Sequence, residues 1–213
     1  SRSGFALVDT PLFEDVGVFS RIGEGTDVVG KEMYEFHDRS DRHMALRPEG
    51  TAAICRSFVQ HRPPVPWKVY YRGPYFRYEA PQAGRFRQFQ QFGIESIGSD
   101  DPDIDVEVIA LGWNVLRSVG LKQVTLLLNS MGDANTRKQY QQSLRDFLEE
   151  HTLDLDEEDR SKVQSHPLRV LDSKRSATQL VTAQAPPIEE FLDGEAKAHF
   201  GRVQEGLNAL NIP

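Results

Sequence analysis

Between Trp67 and Glu95 the chain reads WKVYYRGPYFRYEAPQAGRFRQFQQFGIE. Within it Arg77, Glu79, Phe89, Gln91 and Glu95 are residue types that recognise phosphates, amines and bases. A guanidinium grips a phosphate through paired N–H donors, a carboxylate accepts from an amine, and a phenyl ring stacks on a base. To act together these groups must share a face, and strand side chains alternate with period 2. Tyr75, Arg77 and Glu79 have one parity on a first strand, with Phe76 and Tyr78 on the other. On a return strand Phe89, Gln91, Gly93 and Glu95 have one parity, opposed by Phe92 and Ile94. The stretch predicts two strands joined by a long polar loop, with Gly93 leaving open space among the polar groups. Taken singly, each polar residue suits a solvated strand face. Arg, Glu and Gln interleaved with aromatics, in place of Lys, Thr and Ser, read as a ligand floor.

Upstream, Pro48 and Gly50 bracket Glu49, and an apolar helical run from Ala52 ends before RPPVP. Glu49 and Thr51 therefore sit at a strand-to-helix junction, where spacing alone favours a capping Thr51 and an ordinary first-turn acid. Tyr34 to Phe36 and Met44 to Arg47 predict a short antiparallel pair turned at Asp38 to Asp41. Phe5 to Thr10 reads as a strand stopped by Pro11. Gly23 and Gly25 make no dinucleotide fingerprint because Val28 stands in the third glycine position, and no Walker-type GK[ST] occurs.

After Glu95, an acidic turn from Asp100 to Asp105 caps a helix from about Ile104 to Val119, ended by Gly120. Its stripe of Val106, Ile109, Ala110, Trp113 and Leu116 is expected to be core. Val124 to Leu128 predicts a buried strand. From Met131 the pattern turns helical, with an amphipathic Ala134 to Glu150, an acidic DLDEED patch expected to be a solvated helix start, and a last helix from Glu195 to about Leu210.

The run GPYFRYEAPQAGRFRQFQQFGIE resembles motif 2 of the class II aminoacyl-tRNA synthetases in its histidyl-tRNA synthetase form. LRPEGT (Leu46 to Thr51) and PLRVLDSK (Pro167 to Lys174) are similar to the same family, and the likeness runs from Phe5 to about Leu210. It implies an α/β (α+β) fold: a class II antiparallel sheet flanked by helices in residues 1–130, and a mostly helical insertion domain in 131–213. It further implies a histidine-tRNA ligase that forms histidyl-adenylate from histidine and ATP, with Mg2+ accompanying ATP, and transfers histidine to tRNA(His). Carried over by position, Arg77 is the catalytic residue at the α-phosphate. Glu79 takes the adenine amino group, Arg85 the terminal phosphates, and Phe89 stacks on adenine. Glu49, Thr51 and Gln91 hold the amino acid backbone, with Gly50 leaving room, and Glu95 accepts from the imidazole. A homodimer is implied for the full-length protein, and no protein-bound metal.

The family's RGLDYY segment, motif 3, anticodon-binding domain and leading motif 1 helix have no counterpart in this sequence. The chain is therefore expected to be part of a synthetase, inactive alone. A noncatalytic relative, the histidine-sensing subunit of ATP phosphoribosyltransferase, also lacks the anticodon-binding domain, but it has little need for the complete set Arg77, Glu79, Arg85 and Phe89. A third reading, a helical interaction module with an incidental hairpin, leaves the polar strand face unexplained.

Bulk properties fit these expectations. With 213 residues, 38% of them hydrophobic, the chain can build one substantial core with a smaller unit attached. No run approaches a membrane span and no signal peptide leads it, so a cytoplasmic protein is expected. Cys55 stands alone and reads as a packing residue. The net charge of −7 argues against broad polyanion binding. Residues 1–100 hold 13 basic and 13 acidic side chains, and Trp67 to Glu95 holds five against two, which suits a small anion such as a nucleotide triphosphate.

Overall fold

A computed structural model describes residues 3–23, 32–80 and 82–213. Gly25 and Val28 lie outside the described residues. Packing divides the chain into two compact units, 1–112 and 113–213. The composition change near residue 131 comes later than this division, which groups the end of a helix and the segment after it with the second unit.

In the first unit, β1 (Ala6–Leu7) pairs parallel with a long strand that pairs antiparallel with another. Chain order then brings β2 (Phe13–Asp15), α1 (Val16–Gly23), β3 (Glu35–His37), β4 (His43–Leu46) and α2 (Thr51–His61). The two long strands, β5 (Trp67–Phe76) and β6 (Gln88–Ile97), are followed by α3 (Pro102–Ser118). The main sheet has order β1-β5-β6, and β2-β4-β3 form a smaller antiparallel sheet. The expected hairpin is present: β5 and β6 pair in continuous register from Trp67↔Ile97 to Phe76↔Gln88. Beyond the ladder, the Arg77 N–H still donates to the Arg87 carbonyl at 2.9 Å. Arg77 and Glu79 thus lie just past the strand end, in the mouth of the loop.

α2 lies against the sheet because its early apolar residues recur at helical spacing. Ala52, Ala53 and Ile54 are buried, and Ile54 packs with Val69, Tyr71 and Tyr75 of β5. Burying such side chains stabilises the layer by about 1.5–3 kcal/mol per large residue. Phe19 of α1 packs with Ala45 and Ala52 and joins the small sheet to the helices. The stripe expected on α3 is only partly covered. Val106 is buried, Ile109, Ala110 and Trp113 are half-buried, and Leu116 is exposed. An ion pair between Lys68 of β5 and Glu107, 2.5 Å apart, gives this helix a polar tie to the sheet.

The second unit contains α4 (Ala134–Glu150), a 3-10 turn at Thr152–Asp154, α5 (Glu157–Arg160), α6 (Pro167–Leu171) and α7 (Ser176–Thr182). A 3-10 turn at Ile188–Phe191 and α8 (Gly194–Ala209) complete it. Asp133 and Asp193 cap α4 and α8 by accepting from Thr136 N–H and Ala196 N–H, each at 2.7 Å. Tyr140, Leu144 and Leu148 recur every fourth residue, so they share one face of α4, and they pack with Leu155, Val163, Val170, Val181 and Ile188.

One expectation fails here and another holds only in part. Residues 124–128 form no strand. Val124, Leu126 and Leu128 are half-buried while Leu127 is 89% exposed, so the alternation of a strand is present, but among the described residues no strand pairs with it. The acidic patch does start a helix, capped by Asp156 with Glu157 and Glu158 exposed, but one of its acids is not solvated. Asp159 is 0% exposed, and its carboxylate accepts from Lys162 Nζ (2.7 Å), Arg175 Nη1 (3.1 Å), Thr178 Oγ1 (2.9 Å) and Ser173 Oγ. Burial alone would raise its pKa. The hydrogen bonds from Lys162, Ser173 and Thr178 outweigh that and hold it well below the usual carboxylate range. One charge thereby ties α5 to the end of the PLRVLDSK segment and to α7.

Candidate functional site

The register of the hairpin puts opposed residues on the same sheet face. Val69↔Glu95, Tyr71↔Gly93, Gly73↔Gln91 and Tyr75↔Phe89 therefore line one surface, and α2 begins at its edge. Thr51, the first residue of α2, donates its hydroxyl to Glu95 Oε1 at 2.7 Å. Burial pushes the Glu95 carboxyl up, as does the nearby Glu49, and the Thr51 hydrogen bond only partly offsets them. Gln91 Nε2 donates to the Tyr71 phenol oxygen at 3.1 Å.

Thr51 does not cap its helix, as spacing suggested. Gly50 occupies the capping position without a side chain, and the Glu49 carboxylate takes over. Glu49 Oε2 accepts from Thr51 N–H at 2.5 Å and Oε1 from Ala52 N–H at 3.0 Å. An anion in the first turn suits the exposed amides and dipole of a helix start. Glu49 is thus held rigidly at the same edge as Thr51 and Glu95.

Gly50 and Gly93 leave room, but the room holds a side chain of the protein itself. A Cβ built at Gly93 would lie 2.2 Å from Tyr71 Cζ, and one at Gly50 would lie 2.5 Å from the same ring. Tyr71, 5% exposed, is slotted between a strand glycine and a helix-start glycine. Residue type alone did not single it out, because its neighbours Tyr70 and Tyr75 look alike in the sequence. The signal that could have found it is the register, which sets a large ring directly opposite glycine.

The other half of the site lies toward the loop. Arg77 Nε donates to the Pro48 carbonyl at 2.9 Å, which tethers the arginine to the segment carrying Glu49, and its guanidinium lies 5.3 Å from the centre of the Phe89 ring. Glu79 and Arg85 pair with each other at 3.1 Å. Arg85 is largely exposed, so this pair contributes only about 0–1 kcal/mol and opens readily. The structure thus brings Glu49, Gly50, Thr51, Gln91 and Glu95 into one cluster, with Arg77 and Phe89 beside it. Glu79 and Arg85 stand together in the loop.

A second residue missed in the sequence is Arg47 of LRPEGT. It is 4% exposed, donates to the carbonyls of Thr10 (2.7 Å) and Pro74 (3.0 Å), and lies 4.5 Å from the centre of the Tyr75 ring. It holds the start of the Pro48–Thr51 segment against β5. Among the described residues no group of three or more His, Cys, Asp or Glu side chains is placed to hold a metal ion. No described helix is long and apolar enough to cross a membrane.

Comparison with known proteins adds a second line of argument. The family model for histidyl-tRNA synthetase matches residues 1–185. The histidine–tRNA ligase of Lactiplantibacillus plantarum is 49% identical over 98% of this chain and 50% of its own length. That of Levilactobacillus brevis is 51% identical over the same shares. The chain spans about half the length of the curated relatives it matches. Among solved structures, apo S. aureus histidyl-tRNA synthetase superposes with a TM-score of 0.70 at 36% identity, over 98% of this chain and 47% of that one. An ATP phosphoribosyltransferase regulatory subunit/histidyl-tRNA synthetase from Bacillus halodurans C reaches a TM-score of 0.65 at 21% identity, over 98% of this chain and 57% of that one, which shows the shared fold. The mixed α/β architecture is that of a class II synthetase. With a family match over most of its residues and ligases half identical along nearly its whole length, the chain belongs to the histidyl-tRNA synthetase family.

Proposed function

We propose that this chain carries the histidine- and ATP-binding floor of a histidine–tRNA ligase. The observation that supports it most is the clustering of Glu49, Thr51, Gln91 and Glu95 at one edge of the β5-β6 face, with Arg77 tethered beside Phe89. In this reading a histidine carboxylate oxygen attacks the α-phosphorus of ATP, and the bond to the β-phosphate bridging oxygen breaks. Pyrophosphate leaves with that electron pair, giving histidyl-adenylate. A terminal ribose hydroxyl of tRNA(His) then attacks the acyl carbon and AMP departs.

Little covalent chemistry is asked of the side chains, so positioning and charge stabilisation dominate. Arg77 neutralises charge building on the α-phosphate. Glu79 and Arg85 exchange each other for the adenine amino group and the terminal phosphates, while Phe89 stacks on adenine. Glu49, Thr51 and Gln91 supply acceptors for the ammonium group, and Glu95 accepts from the imidazole N–H. Mg2+, arriving on the triphosphate, neutralises phosphate charge. Residues 131–213 act as the insertion domain over the tRNA acceptor end, in a cytoplasmic homodimer. A histidine-sensing regulator is less well supported, since the relatives near half identity are named as ligases.

The test is histidine-dependent ATP–pyrophosphate exchange. The chain by itself, half the length of its relatives, is expected to bind histidine or ATP weakly and to aminoacylate negligibly. A full-length enzyme carrying it is expected to exchange robustly with histidine and with no other amino acid. No exchange from that enzyme would end the proposal. Within it, Glu95→Gln is expected to raise KM for histidine about tenfold or more and to leave KM for ATP nearly unchanged, because a buried charged acceptor is lost. Equal losses for both substrates would remove Glu95 from the imidazole.

A further inference from the structure

Two side-chain hydrogen bonds knit the start of α2, β5 and β6 together on this face. The Thr51 hydroxyl donates to Glu95 Oε1 at 2.7 Å. Burial, with the carboxylates of Glu95 and Glu49, keeps the Tyr71 phenol protonated, and the hydrogen bond from Gln91 offsets this only in part. Its oxygen accepts from Gln91 Nε2 at 3.1 Å. That bond engages the NH2 end of the Gln91 amide on the tyrosine, so its carbonyl oxygen is the end offered to a ligand.

We propose, resting on the histidine-binding reading above, that Tyr71 is a positioning residue for the amino acid. Slotted between Gly50 and Gly93, it locks the Gln91 amide so that its carbonyl oxygen accepts from the substrate's ammonium group. A free amide presents its NH2 and its carbonyl about equally, and an NH2 facing an ammonium group is repulsive. The tyrosine removes that wrong orientation without touching the substrate. The slot makes the lock firm, because Gly50 and Gly93 both lie close against the phenol end of the ring and leave it no room to swing.

Tyr71→Phe deletes only the phenol oxygen and keeps the ring that fills the slot. In the full-length enzyme it is expected to raise KM for histidine about tenfold, the scale of one hydrogen bond made to a charged group. KM for ATP should stay within about twofold. The specific readout is discrimination: the preference for histidine over its desamino analogue, imidazolepropionate, as a competing ligand should shrink by the same factor. In a Gln91→Leu background Tyr71→Phe should do nothing further, since it acts through that amide. Equal weakening of histidine and the desamino analogue would overturn the proposal, as would full additivity with Gln91→Leu. Parallel loss of ATP would also overturn it, by showing that the tyrosine serves the sheet as a whole. The parent enzyme's own histidine-dependent exchange tests the underlying function separately.

Discussion

Arg77→Ala, placed in a full-length enzyme carrying this chain, is expected to slow histidyl-adenylate formation by roughly two to three orders of magnitude. The size follows from what the guanidinium is asked to do. In the attack on the α-phosphorus, negative charge grows on phosphate oxygens, and a donor already held in place stabilises it without reorganising. Arg77 is held twice, by the Pro48 carbonyl at Nε and against the Phe89 ring. Arg77→Lys should recover little, because an ammonium cannot span two oxygens while also reaching that carbonyl. Single-turnover formation of adenylate is the measurement. Normal chemistry with only a raised KM for ATP would make Arg77 a simple binding residue.

The second large effect falls in the helical unit. Asp159→Ala is expected to destabilise it by about 3 kcal/mol, near the low end for removing one partner of a buried ion pair. The low end is apt because Lys162 and Arg175 are each more than a third exposed and can turn to water, whereas Ser173 and Thr178 lose a shared acceptor. The pH dependence has a definite sign. A carboxyl whose folded pKa is depressed contributes stability that is fully present above its unfolded value, near 3.9, and lost as pH falls through the lower folded one. The parent should therefore lose helical signal steeply below about pH 4, and the alanine variant, already weakened, should show a shallower slope there. Urea unfolding of the whole chain followed by circular dichroism reads both. Unchanged midpoints would mean that the apolar core around Leu144 and Leu148 holds the helices unaided.

Much of the fold could be read in advance because local patterns dominate there. The helix Ala134–Glu150 has a capping Asp133 and an uninterrupted stripe, so its limits follow from the residues themselves. The hairpin was equally visible, through alternation and a loop rich in polar residues. Residues 124–128 misled because an alternating apolar run shows that a strand could form, while a strand exists only where another edge pairs with it. The acidic patch misled for a related reason. Nothing in DLDEED marks Asp159 as different from its neighbours until Ser173, Arg175 and Thr178, all distant in the chain, close around it. In the site, residue types pointed to Arg77, Gln91 and Glu95. Tyr71 and Arg47 stayed hidden because their importance lies in what surrounds them.

The slot around Tyr71 couples three positions in mutational terms. Alanine at position 50 or 93 would drive a methyl group into the aromatic ring, at 2.5 or 2.2 Å. Neither glycine can therefore drift while the ring is kept. Shrinking the ring first would admit either alanine, but a smaller apolar side chain removes the phenol oxygen to which Gln91 donates. Every route by single substitutions thus crosses an intermediate that is either overpacked or short of a hydrogen bond. Positions 50, 71 and 93 are bound to change together or not at all, although the outer two lie 43 positions apart along the chain.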